Sequence, residues 1–320
     1  MRATARAQPN IALVKYWGKR DSGLNLPAVG SISITLESLF TEMQVSFDSG
    51  LDRDRLTLDG GEAVDLLPRL TRCLDRLLGP GRQPASIESR CNFPIAAGLA
   101  SSSSSFAALV LAAAKANELT LDRQQLARAA GGASGSAARS MYGGFVELAN
   151  HEDRIELRCL RDRDSWPLSV VVAITTASPK PVGSSEAMEI SRRTSPFYGR
   201  WLETQQDDLD ACRAAIDSRD FERLAATAEH NCLKMHSVMW ASRPPLVYWN
   251  RVTLECMRSI RALQGEGLAV FFTIDAGPQL KAVCLPEHTM RVREALAGTP
   301  GVVDVRTSGL GGGASLVQPR

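Results

Sequence analysis

The sequence has little that points to a secreted, metal-bound or nucleic-acid-binding protein. Its seven cysteines, at 73, 91, 159, 212, 232, 256 and 284, form no CxxC pair, and their number is odd. That argues against a disulfide framework and a zinc site, and suits a reducing compartment. Only four histidines are present. His230 and His236, six residues apart, face different sides of a helix and make no metal pair. His151 sits in a polar turn and His288 in a loop just past a proline, and none of the four is assigned to catalysis. Charge of neither sign dominates: 37 basic against 35 acidic residues leave +2, which gives no reason to expect nucleic acid or an anionic membrane as partner. Apolar runs such as Phe106 to Ala114 and Leu168 to Ala177 fall short of the ~20 residues that span a bilayer. The opening MRATARAQPN is basic without an apolar segment after it, so no signal peptide is expected and the cytoplasm is the expected location.

What is present suits a two-domain globular protein: 320 residues, 44% hydrophobic and 22% charged. Ser31 to Phe47 alternates apolar and polar residues, as paired strands would. Asp59-Gly60-Gly61 marks a further hairpin. Leu66 to Leu78 has a helical apolar period ending at Gly79-Pro80-Gly81. Ile87 to Phe93 reads as a strand leading through a serine run into a helix over Phe106 to Ala116. Leu121 to Gly131 reads as a helix, then Phe145 to Leu148, Ile155 to Leu160 and Ser169 to Thr175 as strands. Longer helical patterns follow over Met188 to Thr194, Phe197 to Ile216, Phe221 to Val238 and Pro245 to Glu266. Strands over Ala269 to Ile274 and Ala282 to Leu285, a helix over Thr289 to Leu296 and a strand over Val302 to Thr307 complete the pattern. The irregular mixture predicts an α+β fold rather than a doubly wound sheet, with a boundary near residue 180.

Four stretches carry chemistry. Asn92 to Ser105, NFPIAAGLASSSSS, places small residues and hydroxyls at a helix N-terminus, where free N–H groups and the helix dipole favour phosphate. It lacks the Lys and Thr of a Walker A loop. A flexible serine linker is the ordinary alternative, which the flanking strand and helix disfavour. In NIALVKYWGKRD, Asn10 to Asp21, a strand would put Lys15, Trp17 and Lys19 on one face, suiting a polyanion; a solvated basic turn is the competing reading. In GGASGSAARSMYGG, Gly131 to Gly144, Ser134, Ser136 and Arg139 sit among residues too small to cover them, which suits an anion site. In FFTIDAGP, Phe271 to Pro278, an apolar strand ends in Asp275, where a carboxylate can be desolvated and aimed at a substrate. Capping a turn is the commoner fate of a single Asp.

In this order, and with PRLTRCL at 68–74, Gly183-Ser184-Ser185 and His236 followed by PPLVY, the motifs resemble the mevalonate diphosphate decarboxylases of the GHMP kinase superfamily. The resemblance runs from about residue 8 to residue 285. It implies a GHMP-kinase fold: an N-terminal ATP-binding domain resembling ribosomal protein S5 domain 2 over 1–180, and a ferredoxin-like C-terminal domain over 181–320. It implies Mg²⁺, ATP as co-substrate, mevalonate diphosphate as substrate, and a homodimer. Carried over by position, Gly98, Leu99, Ala100, Ser101, Ser102 and Ser103 hold the ATP phosphates. Asp275 is the base facing the tertiary hydroxyl, with Lys15 beside it, and Arg139 and Asn10 orient the carboxylate. Tyr16, Lys19, Arg69, Ser134 and Ser136 grip the diphosphate, with Ser185 near the substrate. The chain departs from the family's pattern at Val29-Gly30 and at Glu186-Ala187. A monophosphate decarboxylase, a kinase that stops at phosphorylation and a non-catalytic ligand-binding protein are the other readings; retention of Asp275, Lys15, Arg139 and the serine loop disfavours them.

Overall fold

The structure, a computed structural model, describes residues 1–93, 101–178 and 180–318. Ser31 to Phe47 does form two strands, but they do not pair with each other. Ser31–Thr35 lies between Asn10–Val14 and Phe145–Asn150 in a four-stranded antiparallel sheet edged by Ile155–Arg161. Thr41–Phe47 lies between Arg2–Ala7 and Ala85–Cys91 in a six-stranded sheet. Alternation fixes which face of a strand is buried and says nothing about its neighbour. The expected hairpin is present as Arg55–Leu58 with Gly61–Glu62, turning through positive φ at Asp59 and Gly60.

Helix Leu67–Leu78 starts with a proline in its first turn and stops at Gly79, whose φ is 90°. It buries Leu70, Cys73 and Leu74. Arg69, Arg72 and Arg76 recur at helical spacing beside that apolar stripe and line the central cavity. Helix Ser101–Ala116 starts inside the serine run, five residues before the expected Phe106, because its small residues pack closely beneath the six-stranded sheet. Helix Arg123–Ala133 begins at a capping box made by Asp122 and Gln125.

The C-terminal sheet is antiparallel, in the order Val270–Ile274, Leu280–Cys284, Ser169–Ile174, Asp304–Ser308. Both faces of its first three strands are buried. Val171, Ala173, Phe272 and Ile274 pack on Cys232, Cys256, Ile260 and Val292 of the helices Phe221–Trp240, Arg251–Gly265 and Thr289–Ala297. Val170, Val172, Phe271 and Val283 pack instead against Ile11, Leu13, Ile32 and Ile34 of the N-terminal four-stranded sheet. This shared core locks the ends of Asn10–Val14 and Val270–Ile274 into one site.

Several expected boundaries move. Two strands pair across the expected division into 1–180 and 181–320. Ser169–Ile174 bonds on both sides to C-terminal strands, and the last strand, Ser315–Val317, returns to pair with Arg2–Ala7. An apolar run carries no mark of the sheet it joins; distant partners decide that. The helix expected over Phe197 to Ile216 breaks at Thr204 into Tyr198–Glu203 and Gln205–Ser218. The one expected from Pro245 starts at Arg251, where Asn250 caps it. Among the described residues no helix is long and apolar enough to cross a membrane.

Candidate active site

Lys15 follows the strand Asn10–Val14, and two side chains from the C-terminal half fix its backbone. Its N–H donates to Asn231 Oδ1 at 2.7 Å and its carbonyl accepts from Gln205 Nε2 at 2.8 Å. The side chain is buried, and its Nζ donates to Asp275 Oδ1 at 2.7 Å. On the other carboxylate oxygen, Lys281 Nζ stands 3.1 Å from Asp275 Oδ2. Asp275 follows the last residue of Val270–Ile274, and about a quarter of its side chain (26%) stays exposed. Burial works against its ionisation, but the charges and hydrogen bonds of Lys15 and Lys281 outweigh burial and hold the carboxyl well below the usual carboxylate range.

Arg139 is buried in the short helix Ala137–Ser140. Its Nε donates to Ser33 Oγ at 3.0 Å and Asn10 Oδ1 at 3.3 Å, and its Nη1 donates to Ser31 Oγ. Asn10 in turn donates to Ser136 O at 2.9 Å and Ser140 Oγ at 2.7 Å. Burial lowers the Arg139 pKa to about 10, against the opposing pull of Tyr16 and Asp275, so it stays charged at neutral pH. The alternation of Ser31-Ile32-Ser33-Ile34 presents both hydroxyls to the guanidinium while the isoleucines enter the shared core.

The basic turn does not put Lys15, Trp17 and Lys19 on one face. The strand ends at Val14, and Trp17 is buried against Tyr198 and Trp201, whose Nε1 donates to Trp17 O at 3.0 Å. Gly18 makes the reversal with φ 99°, and a Cβ there would fall 2.1 Å from the Tyr198 hydroxyl. Tyr16 packs at the edge of the same cluster and lines the cavity. Its hydroxyl is buried without a hydrogen-bond partner among the described residues, so close to Gly135 that a Cβ on that residue would lie 2.4 Å from it. Burial raises the Tyr16 pKa to about 12. Lys19 Nζ donates to Ser185 Oγ at 3.0 Å, joining the two halves. Its proton affinity is lowered by burial and then by Arg69 nearby. Ser134 Oγ donates to Ser102 Oγ at 3.3 Å and lies 3.4 Å from Ser136 Oγ.

Asp275, Lys15, Arg139, Asn10, Tyr16 and Lys19 border one cavity of ≈ 770 Å³ between the halves, with Ser102, Ser134, Ser136 and Ser185. Seven lysine and arginine side chains line it against two carboxylates, Asp275 and Glu186. Such an excess of converging cations suits a ligand with several negative charges. Ser101, Ser102 and Ser105 line its wall at the start of helix Ser101–Ala116. Ser103, expected to touch ATP, is fully buried on the packed side of the helix and does not line the cavity. Gly98, Leu99 and Ala100 lie outside the described residues.

Residues 7–160 match the diphosphomevalonate decarboxylase-like N-terminal domain, and residues 170–300 the mevalonate 5-diphosphate decarboxylase C-terminal domain. A diphosphomevalonate decarboxylase of Candida albicans is 35% identical over 86% of this chain and 82% of its own length. The chain belongs to the diphosphomevalonate decarboxylase family. The crystal structure of mevalonate diphosphate decarboxylase from Staphylococcus aureus superposes with a TM-score of 0.92 at 33% identity, covering 99% of this chain and 98% of that one. A second solved chain, described as MDDEF in complex with MVAPP, AMPPCP and magnesium, gives 0.92 at 31% identity over 100% and 99% of the two chains. The fold is the expected α+β GHMP-kinase fold.

With the decarboxylase family established, the two departures divide. Val29 and Ala187 are buried in the cluster around Trp17 and Trp201, and a Cβ on Gly30 would meet Leu209 Cδ1 at 2.9 Å. Those three positions answer to packing. Glu186 is exposed and lines the cavity. The residues that sequence reasoning missed are Lys281, Lys180, Ser31 and Ser33. Lys180 Nζ donates to Ser184 Oγ at 2.6 Å and Ala276 O at 3.2 Å, and lines the same wall. Lys281 had a signal: a lysine between Leu280 and Ala282 in an apolar strand six residues after Asp275. His236 is buried against the Trp249 ring, 4.6 Å between centroids, outside the cavity lining.

Proposed function

We propose that this chain decarboxylates mevalonate diphosphate at the expense of ATP, yielding isopentenyl diphosphate, CO2, ADP and phosphate, with the site residues in the roles that follow. The observation that carries this reading is Asp275, ion-paired to two lysines at the base of a cavity crowded with cations. The substrate's tertiary hydroxyl attacks the γ-phosphoryl group, and its proton passes to Asp275. Lys15 orients that carboxylate and helps neutralise the transferring oxygens. The hydroxyl thereby becomes phosphate, a far better leaving group than hydroxide. As it departs, the neighbouring carboxylate gives up its electron pair to the new C=C bond and leaves as CO2.

Arg139 and Asn10 set the carboxylate end. A tight salt bridge there stabilises the charge that decarboxylation must disperse, so Arg139 serves the phosphoryl-transfer step and then the departing phosphate. Lys19, Arg69, Tyr16, Ser134, Ser136 and Ser185 hold the diphosphate, and Ser101 and Ser102 face the nucleotide. The unpartnered Tyr16 hydroxyl and the mutual repulsion of Lys19 and Arg69 are what an anion would relieve. Among the described residues no cluster of three or more His, Cys, Asp or Glu forms a metal cage. Mg²⁺ would enter with the nucleotide phosphates, where Ser101 and Ser102 could contribute hydroxyls, and would draw charge from the phosphoryl oxygens. A homodimer in the cytoplasm belongs to the same reading and rests on the resemblance.

Substrate choice tests it. The wild type should turn over mevalonate diphosphate with a far lower KM than the monophosphate. Lys19→Ala and Arg69→Ala should raise the KM for the diphosphate about 10-fold or more each, with kcat little changed, because the tail is remote from the reacting atoms. Their effect on the monophosphate should be small. Equal effects on both substrates remove these residues from selection of the second phosphate, and a preference for the monophosphate overturns the substrate assignment.

A further inference from the structure

Lys281 is a buried charge for which the mechanism above states no task. It stands in the strand Leu280–Cys284 with 1% of its surface exposed, and a lysine is almost never so buried unless paired. Its register partners are Thr273 and Val172. Directly opposed residues share a face, and Val172 belongs to the core shared with the N-terminal sheet. Lys281 therefore approaches Asp275 from beneath, inside the protein, while Lys15 lines the cavity.

The two carboxylate oxygens are thereby distinguished. Oδ2 is buried and faces Lys281 at 3.1 Å, whereas Oδ1 takes the Lys15 hydrogen bond at 2.7 Å. The exposed quarter of the Asp275 side chain excludes Oδ2. One cation is enough to favour ionisation; a second, on the opposite oxygen, fixes the rotation of the carboxylate plane. We propose that Lys281 is a positioning residue for the reaction, anchoring Oδ2 of Asp275 so that Oδ1 is presented to the substrate hydroxyl. The proposal rests on the reading of Asp275 as proton acceptor. The O–H bond breaks toward Oδ1 as the new O–P bond forms, and Lys281 neither gives nor takes a proton.

The other groups that face Asp275 are Arg139, Lys180, Cys232 and His236. Burial keeps His236 neutral, with its pKa lowered to about 3, and raises that of the Cys232 thiol, so neither carries charge at neutral pH. Lys15 and Lys281 are the cations that bond the carboxylate directly.

Lys281→Met keeps the length of the side chain and removes its charge. Misplacing a reacting group by about 1 Å can cost about 10²-fold, so kcat should fall by about 10- to 100-fold with little change in either KM. The acid limb of the pH profile of kcat/KM should move to higher pH, because Asp275 loses one of two cations that favour its ionised form. In the Asp275→Asn background the same change should leave kcat unaltered. Unchanged kcat in the single variant, or an equal loss in both backgrounds, overturns the proposal. If Lys281→Met does not fold, Lys281→Arg serves. It should lower kcat by misplacing the carboxylate while leaving the acid limb where the wild type has it, and full wild-type kcat contradicts the positioning role. Asp275→Asn as active as wild type removes the reading of Asp275 and this proposal with it. A loss seen in Asp275→Asn but not in Lys281→Met or Lys281→Arg sinks the Lys281 proposal alone.

Discussion

Asp275→Asn is expected to lower kcat by about 10²–10⁴-fold, or about 3–5 kcal/mol of barrier, with little change in the KM for ATP or substrate. The amide fits the same space but cannot accept the hydroxyl proton. It also leaves Lys15 and Lys281 without their counter-ion, so the variant should melt earlier than wild type, and activity must be read below that transition. The pH dependence separates a lost base from a lost charge. The two lysines favour the ionised carboxyl and hold its pKa well below the usual range in the free enzyme. The wild-type profile of kcat/KM, which reports the free enzyme, should therefore stay flat from neutrality down through pH 5. Once substrate and nucleotide phosphates share Lys15, Asp275 becomes more basic, and the acid limb of kcat should lie at higher pH than that of kcat/KM. A limb in wild-type kcat/KM between pH 5 and 7 that persists in the variant belongs to another group.

Replacing Arg139 should produce the other large effect. Arg139→Met removes the donor of three hydrogen bonds and leaves Asn10 Oδ1, Ser31 and Ser33 buried without it. Loss of a donor aimed at a charged substrate typically costs about 10²–10³-fold in kcat, and the stranded acceptors add a stability loss of about 1–3 kcal/mol. Arg139→Lys isolates geometry from charge, since an ammonium cannot meet acceptors arranged around a planar fork. It should regain substrate binding while kcat stays at least about 10-fold below wild type. Full recovery of kcat by lysine leaves only the charge as the requirement.

The motifs made much of this site legible because each places its chemistry within a few residues of a strand end or helix start. Asp275, Lys15, Arg139, Asn10, Tyr16, Lys19, Ser134 and Ser185 line one cavity. Side-chain direction within a turn was not legible: Trp17 points into the core because Gly18 reverses the chain next to Tyr198. Nor were groups whose role arises only across sheets. Lys281 meets Asp275 through the pairing of Val270–Ile274 with Leu280–Cys284, and Ser31 and Ser33 meet Arg139 from a strand more than a hundred residues away. The fold followed the same rule. Local periods located most elements, whereas the sheet of Ser169–Ile174 and the return of Ser315–Val317 depend on pairings no local pattern encodes.

The most direct test is to follow ADP and CO2 in the same quenched samples, with purified protein, Mg-ATP and carboxyl-labelled mevalonate diphosphate. One CO2 should be released for each ADP formed, with CO2 never ahead of ADP, and Asp275→Asn should suppress both together. ADP formed while CO2 stays at background would make this protein a kinase, and CO2 released without ADP would contradict phosphorylation as the step that opens the reaction.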